Sequence, residues 1–462
     1  MVTSTLVADL RTIVGDDLIV GDRQAMAPFA QDHNRYYEPQ AQAVIFPRSV
    51  EQVQQLVHVA IKHACPLVPS GGRTGLSGGA TATAREVVVA FDRMNRIGHF
   101  SAVDRVVSCE PGVITEDLQR FALGQGLYYP VDFASSGSSQ IGGNIATNAG
   151  GIKVIRYGMT RDWVAGLTVV TGKGEVLQLN RGLVKNATGY DLRHLFVGAE
   201  GTLGLIVEAQ MRLTDPMRNP NVMLMGVPSV EALMHVASHF RAGLSVTAFE
   251  FFCHEGLQRV LARSGRAHPF GEHTAYYALL EFEAPNTEDE ERALGLFEAA
   301  AENGWVEDAV LAQSQQQASD LWALRENMSE TLSHFMPYKN DLSVRVERVP
   351  EFMHAVETLV NSNYPDFDVV WFGHIGDGNL HLNILKPENL APEAFKARCE
   401  VVNREVFAVV RDLEGSISAE HGVGLQKRDF LHYSRTAEEI ALMRSIKAVF
   451  DPHGIMNPGK LI

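Results

Sequence analysis

Two imidazoles and a turn dipeptide are the first chemistry the sequence offers. In Trp371-Phe-Gly-His-Ile-Gly-Asp-Gly-Asn-Leu-His-Leu-Asn383, Asp377-Gly378 is a strong signal for a two-residue hairpin turn between apolar stretches. Such a turn pairs Ile375 with Leu380 and His374 with His381. It sets both rings on one face with Cβ atoms roughly 5 Å apart, near enough to share a divalent ion. Asn383, two residues on, faces the same way. A third ligand is then needed, and Ser416-Ile-Ser-Ala-Glu-His-Gly-Val-Gly424 offers Glu420 and His421 among small residues. His374, His381 and Glu420 make a His₂-carboxylate set with an open position, the pattern of a catalytic Zn²⁺ site. Ligand softness also admits Fe²⁺, Mn²⁺ or Co²⁺. Taken alone, either histidine serves equally as a hydrogen-bonded structural residue, and the set as a whole would also suit a metal-dependent hydrolase.

Cations for an anionic substrate are sparse. In Leu321-Trp-Ala-Leu-Arg-Glu-Asn-Met-Ser-Glu330, Arg325 and Ser329 stand four apart on one helical face, and Lys339 follows beyond the helix. A solvated helix face would look the same.

Three glycine-rich segments lie in the first half. Pro69-Ser-Gly-Gly-Arg-Thr-Gly-Leu-Ser-Gly-Gly79 follows a short strand signal. Its Gly71, Gly72 and Gly75 let backbone approach a ligand closely, and Arg73, Thr74 and Ser77 add donors. Ser138-Ser-Gln-Ile-Gly-Gly-Asn-Ile-Ala-Thr-Asn-Ala-Gly-Gly151 and Gly198-Ala-Glu-Gly-Thr-Leu-Gly204 are the second and third. Neither G-x-G-x-x-G nor G-x-x-x-x-G-K-[ST] occurs, so the implied pyrophosphate cofactor is not held in a standard Rossmann or P-loop manner.

These loops, with Gly137–Gly151, Ala199–Gly204 and Asn457-Pro-Gly-Lys460, resemble the FAD-binding domain of the vanillyl-alcohol oxidase/p-cresol methylhydroxylase flavoproteins. The second half is most similar to their FAD-linked 2-hydroxyacid dehydrogenases. The resemblance implies an α+β, two-domain fold in which FAD contacts Pro69, Ser70, Gly71, Gly72, Arg73, Thr74, Gly75 and Ser77 of the first loop. From the second it implies Gly137, Ser138, Ile141, Gly142, Gly143 and Asn148, and further along the chain Gly201, Ile206 and Asn457. Members with covalent FAD carry a histidine near the first loop. Arg73 and Thr74 stand there instead, so FAD is expected to be non-covalent.

The resemblance also implies that His374, His381 and Glu420 hold the metal and that His421 takes the substrate hydroxyl proton. Substrate contacts are then expected from Arg325, Ser329, Lys339, Asn383 and His421, with Arg325 and Lys339 on a distal carboxylate. The family usually has Thr where Ser329 stands, and the hydroxyl is kept. The expected reaction is oxidation of a D-2-hydroxy dicarboxylate, D-2-hydroxyglutarate foremost and D-malate next, with D-lactate or glycolate as alternatives. Electron-transfer flavoprotein or a quinone-linked carrier is expected as acceptor, and a homodimer as the assembly.

The elements that must carry these residues divide at Asp215–Asn221, a proline-bearing, weakly apolar segment. Residues 1–216, joined by the tail 451–462, read as a FAD-binding domain. Residues 217–450 read as a substrate and metal domain with an antiparallel sheet and long helices. The first half alternates strand and helix signals, and Ser135–Gly158 reads as an ordered ligand loop without period. At 462 residues the chain exceeds one domain. A net charge of −15 disfavours nucleic acid and anionic lipid as partners. Without an 18-residue apolar run or a basic, apolar leader, the chain reads as cytoplasmic and without an integral membrane segment. Cys65, Cys109, Cys253 and Cys399 lack C-x-x-C spacing and read as buried, reduced thiols.

Overall fold

The computed structural model describes residues 4–34 and 36–462. They form two compact units. The first comprises residues up to Gly150, Gly158–Pro216 and Glu420–Ile462; the second comprises Gly151–Tyr157 and Met217–Ala419. The division at Pro216 falls within the segment read as a boundary. The C-terminal contribution to the first unit, however, begins at Glu420 and not at 451. The helix Ala437–Phe450 explains this, since Phe450 packs edge-on against Phe196 at 5.1 Å and Lys447 donates to the Thr202 carbonyl at 2.7 Å.

Among the described residues the first unit holds two sheets. In one, Ala43–Ile45, Val87–Ala90 and Leu67–Ser70 run parallel, and Ile19–Val20 joins antiparallel to the edge. These strands are continuous apolar runs because both faces are buried. The helix Val50–Lys62 connects Ala43–Ile45 to Leu67–Ser70; Ser49 caps it by accepting from the Gln52 amide, and Val53, Leu56, Val57 and Ala60 enter the core. The other sheet is antiparallel, in the order Ile97–Ser101, Val106–Cys109, Gly204–Arg212, Val164–Thr171, Val176–Leu179.

The segment Ser135–Gly158 is ordered but not aperiodic. It contains the helices Ile141–Thr147 and Val154–Tyr157. Gly142 and Gly143 have low helix propensity, and tertiary contact overrides it: Ile141 and Gly142 donate to the carbonyls of Val113 and Pro111 at 2.9 and 2.8 Å.

In the second unit, seven strands form one antiparallel sheet among the described residues. Their order is Asp308–Leu311, Pro220–Val227, Tyr276–Glu283, Ser245–Cys253, Val369–His374, Asn379–Ile384, Tyr338–Ser343. The four cysteines are buried and unpaired, and burial pushes the thiols of Cys109, Cys253 and Cys399 up to about 12. Among the described residues no helix is long and apolar enough to cross a membrane.

Candidate active site

The histidine hairpin forms with a longer turn than expected. His374 pairs with Asn379 and Phe372 with His381, so the loop is Ile375–Gly378 and the direct His374–His381 pairing does not occur. The slip is two residues, and because side chains alternate with period two the same face is kept. The imidazoles meet diagonally with centroids 5.4 Å apart. The longer turn is held by the Asp377 and Gly378 amides, which donate to the carbonyls of His374 and Ile375 at 3.1 and 3.3 Å.

The neighbouring strands place further polar groups on this face. Lys339 pairs with Asn383 and Asp341 with His381. Glu250, Asp341, His374, Asn379, His381 and Asn383 are all buried. Burying such groups is costly unless each has a partner. Glu250 Oε1 lies 2.8 Å from His374 Nδ1, and Asp341 Oδ1 lies 3.7 Å from His381 Nδ1. Asp341 is itself fixed by the Asn379 amide at 2.8 Å and by the Ala419 backbone N–H at 3.1 Å. A carboxylate can only accept, so Glu250 fixes the Nδ1–H tautomer of His374 and leaves Nε2 with a lone pair. The carboxylate hydrogen-bonded behind His374 is the support that metal-bound imidazoles commonly have, and at His381 a second carboxylate stands 3.7 Å away. The donor set of this face therefore fits a divalent ion.

Arg325 is only 6% exposed. Its guanidinium lies 2.8 Å from Glu250 Oε2 and over the Phe372 ring at 4.8 Å. Its Nε is buried without a hydrogen-bond acceptor among the described residues. The single helix expected here is two, Gln315–Glu326 and Met328–Ser333, meeting at Asn327. Ser329 on the second accepts from Lys339 Nζ at 3.3 Å, and burial lowers the pKa of that lysine. Glu250 and Asp341 were not singled out from the sequence. The only signal was an isolated carboxylate inside the apolar run Val246–Cys253, and nothing local says which ring it serves.

In the first unit the glycine segments pack on one another. A Cβ on Gly72 would sit 2.2 Å from the Ser138 carbonyl, so this glycine permits close loop-to-loop contact. A Cβ on Gly143 would meet nothing within 4 Å. Several side chains expected to reach the cofactor are engaged elsewhere. Arg73, in the left-handed region at φ 61°, grips Asp92 with two bonds of 2.8 and 3.1 Å and lies over Phe29. Ser70 donates to the Phe29 carbonyl at 2.8 Å, and Asn148 accepts from the Arg161 amide at 3.0 Å. Ile206 is buried opposite Val169, and Ser138 bonds its own turn at Ser135. Gly137 faces Glu116, and Gly201 lies against Pro69.

Unsatisfied polar groups remain where these loops meet. The N–H groups of Gly71, Gly72, Arg73 and Thr74, on the stretch leading to Gly75, donate to no acceptor among the described residues. Gln140 Oε1 and Asn457 Oδ1 are buried without hydrogen-bond partners among the described residues. Successive amides of this kind form a cradle for phosphate oxygens, so the residues present fit a dinucleotide.

Asn457 anchors the ensemble through its amide, which donates to the Gly79 and Glu200 carbonyls at 2.9 and 2.7 Å. Glu420 and His421 lie in the same unit, with Oε1 and Nε2 3.6 Å apart. The backbone that carries them is fixed. The Ser77 hydroxyl lies 2.9 Å from the carbonyls of both His421 and Gly422, and Glu200 accepts from the Val423 and Gly424 amides at 2.7 and 2.8 Å. Burial pushes Glu200 up to about 7 against the pull of those amides.

Comparison with known proteins gives matches across the whole chain. Residues 41–180 match a FAD binding domain, and residues 217–461 match the C-terminal domain of FAD linked oxidases. D-2-hydroxyglutarate dehydrogenase of Stutzerimonas stutzeri is 55% identical over 461 residues, covering 100% of this chain and 99% of that one. The mitochondrial D-2-hydroxyglutarate dehydrogenase of Arabidopsis thaliana is 35% identical, covering 99% and 81%. Among solved structures, p-cresol methylhydroxylase with substrate bound superposes with a TM-score of 0.76 at 14% identity, covering 99% and 96%. That last likeness speaks for the fold alone.

Proposed function

This chain belongs to the FAD-linked oxidases, and from that premise we propose that it oxidises D-2-hydroxyglutarate to the 2-oxo acid as a dehydrogenase acting on a CH–OH donor. The observation that carries the reading is the buried polar face of the second unit's sheet, where two carboxylate-backed imidazoles stand with Asn383 and Lys339. Relatives named for this activity match the full chain. A hydrolase would have no use for the FAD-binding half.

The Gly71–Gly75 and Gly137–Gly143 loops with Asn457 would hold FAD, which would supply the hydride acceptor. His374, His381 and Glu420 would hold a divalent ion, Zn²⁺ in our reading, which would supply Lewis acidity toward an α-hydroxy acid. Glu420 enters as a ligand on the sequence resemblance. The remaining tasks fall to this chain's own groups. His421 takes the hydroxyl proton, and Ser77 holds its peptide so that the imidazole is presented in one place. Lys339 and Ser329 receive the distal carboxylate, with Arg325 supplying its unpartnered Nε–H. D-malate is a shorter substrate of the same class. A separate carrier, an electron-transfer flavoprotein or a quinone-linked protein, collects the electrons.

The test is kcat/KM for D-2-hydroxyglutarate, D-malate and D-lactate with a dye acceptor, on protein of measured flavin and metal content. The reading requires D-2-hydroxyglutarate to lead. Equal turnover of D-lactate would replace it with a monocarboxylate dehydrogenase. Acid precipitation should leave the flavin in the supernatant, and metal removal should abolish turnover while FAD stays bound.

A further inference from the structure

A second group of imidazoles lies elsewhere in the second unit. His254 opens the helix His254–Ser264 at the end of the strand Ser245–Cys253. That helix stops at Gly265 in the left-handed conformation, and the following loop carries His268 and His273 back to the strand Tyr276–Glu283. The His254 amide donates to the Ala275 carbonyl at 3.0 Å, closing the loop over the helix start. Ring centroids of His254 and His273, and of His268 and His273, are each 4.7 Å apart. One nitrogen from each of the three lies within 4.8 Å of the others. A tetrahedral site with metal–nitrogen bonds of about 2.0–2.1 Å needs nitrogens about 3.3 Å apart. His273 is exposed on the loop and can supply the contraction.

Two observations say that these rings are oriented and not merely adjacent. The Phe270 carbonyl and the Phe270 N–H lie 2.9 and 3.2 Å from His268 Nδ1, so the loop backbone holds that ring in place. A backbone carbonyl behind an imidazole is a common support for a metal-bound ring. The buried Tyr277 hydroxyl lies 3.1 Å from His254 Nδ1 and 3.2 Å from His268 Nε2. Tyr277 is clamped between Phe252 and Phe270, stacked at 5.6 and 5.8 Å, so its hydroxyl is a fixed point from which both rings hang.

We propose that His254, His268 and His273 form a second metal site, a three-imidazole surface site with an open coordination position for a late first-row dication such as Zn²⁺. Three neutral nitrogens without a carboxylate suit Zn²⁺, Ni²⁺, Cu²⁺ or Co²⁺ and not Mg²⁺ or Ca²⁺. The ion ties the 265–275 loop to the first turn of the helix. It has no part in turnover: His254 is four strand residues from Glu250, about 13 Å along the chain.

The probe is Zn²⁺ alone, titrated into FAD-loaded, chelator-stripped enzyme and counted by elemental analysis after gel filtration. His268→Gln/His273→Gln should bind one equivalent less than the wild type while its dehydrogenase activity is unchanged. His374→Ala should lose a different equivalent and leave this one. Should the double variant fold poorly, His273→Gln changes only an exposed side chain and should still weaken one class of site about tenfold or more. Equal zinc content in wild type and both variants overturns the proposal. So does a His374→Ala protein that binds no zinc, because every ion would then belong to the hairpin histidines.

Discussion

The glycine loops of the first unit and the polar sheet face of the second solve opposite problems. In the loops, side chains are consumed in fixing backbone: Arg73 holds Asp92, Ser77 holds the His421 peptide, and Asn457 holds Gly79 and Glu200. What is left over for a ligand is N–H groups. On the sheet face the backbone is consumed in the ladder, and what is left over is side chains, each backed by another: His374 by Glu250, His381 by Asp341, Lys339 by Ser329. On the proposed function, the first region would recognise by main chain and tolerate many side chains. The other depends on pairs of side chains far apart in sequence.

The sharpest way to break that contrast is Glu250→Gln. The amide keeps the shape and still accepts from His374, but it removes the negative charge that His374 and Arg325 share. Loss of such a supporting carboxylate costs about 10–100-fold in metal affinity, and the buried arginine is left without its counter-charge. Turnover should fall by about 100-fold or more on D-2-hydroxyglutarate and D-lactate alike, with flavin content unchanged. Flavin lost in parallel would mean that Glu250 supports the fold in general. The same ion pair makes Arg325 a poor probe of substrate length, because its removal disturbs Glu250 and His374 as well.

Lys339→Met asks the substrate question more cleanly. Truncating one partner of a desolvated charge pair costs roughly 2–5 kcal/mol, so kcat/KM on D-2-hydroxyglutarate should drop about 30-fold or more while that on D-lactate changes little. There is a matching pH signature in the wild type. Burial lowers the Lys339 pKa from 10.5, so the ammonium is fully present at low pH and is lost at a pH below that of an exposed lysine. KM for the dicarboxylate should rise through that window, and KM for D-lactate should not. Parallel rises for both substrates would remove Lys339 from the distal end.

Much of this was legible in the sequence, for reasons that differ by region. The two histidines were found because Asp-Gly marks a turn and alternation fixes a face; the register was wrong by two, and the face survived because the error was even. Glycine-rich segments announced a backbone site by composition. What they could not announce was which glycine serves packing and which serves space, because that depends on the Ser138 carbonyl lying over Gly72. Glu250 and Asp341 stayed hidden for the same reason, since their roles exist only once distant strands pair.

Gly143→Val and Gly72→Val separate the two kinds of glycine. A side chain on Gly143 enters open space, so the apoprotein should melt as the wild type does while flavin binds about tenfold more weakly or worse. On Gly72 it strikes the Ser138 carbonyl, so the apoprotein itself should lose stability. Identical behaviour of the two variants would erase the distinction between packing and cradle.

Arg73→Gln should do least, and for that reason it tests the contrast most directly. By charge alone Arg73 is the residue of the first loop best suited to a pyrophosphate, and sequence reasoning counted it among the donors. Its guanidinium instead makes a two-bond pair with Asp92 and covers the Phe29 ring. The pair is largely shielded from solvent, with side chains 21% and 27% exposed, which places it above an open surface bridge and well below a buried one. Losing it should cost about 1 kcal/mol of stability. Flavin affinity should stay within about twofold of the wild type, since the ligand faces backbone amides that the substitution leaves in place. A loss of an order of magnitude, measured by flavin fluorescence on titration of the apoprotein, would show the arginine turning from Asp92 to the cofactor on binding. The first unit would then recognise its ligand by side-chain charge after all, as the second one does.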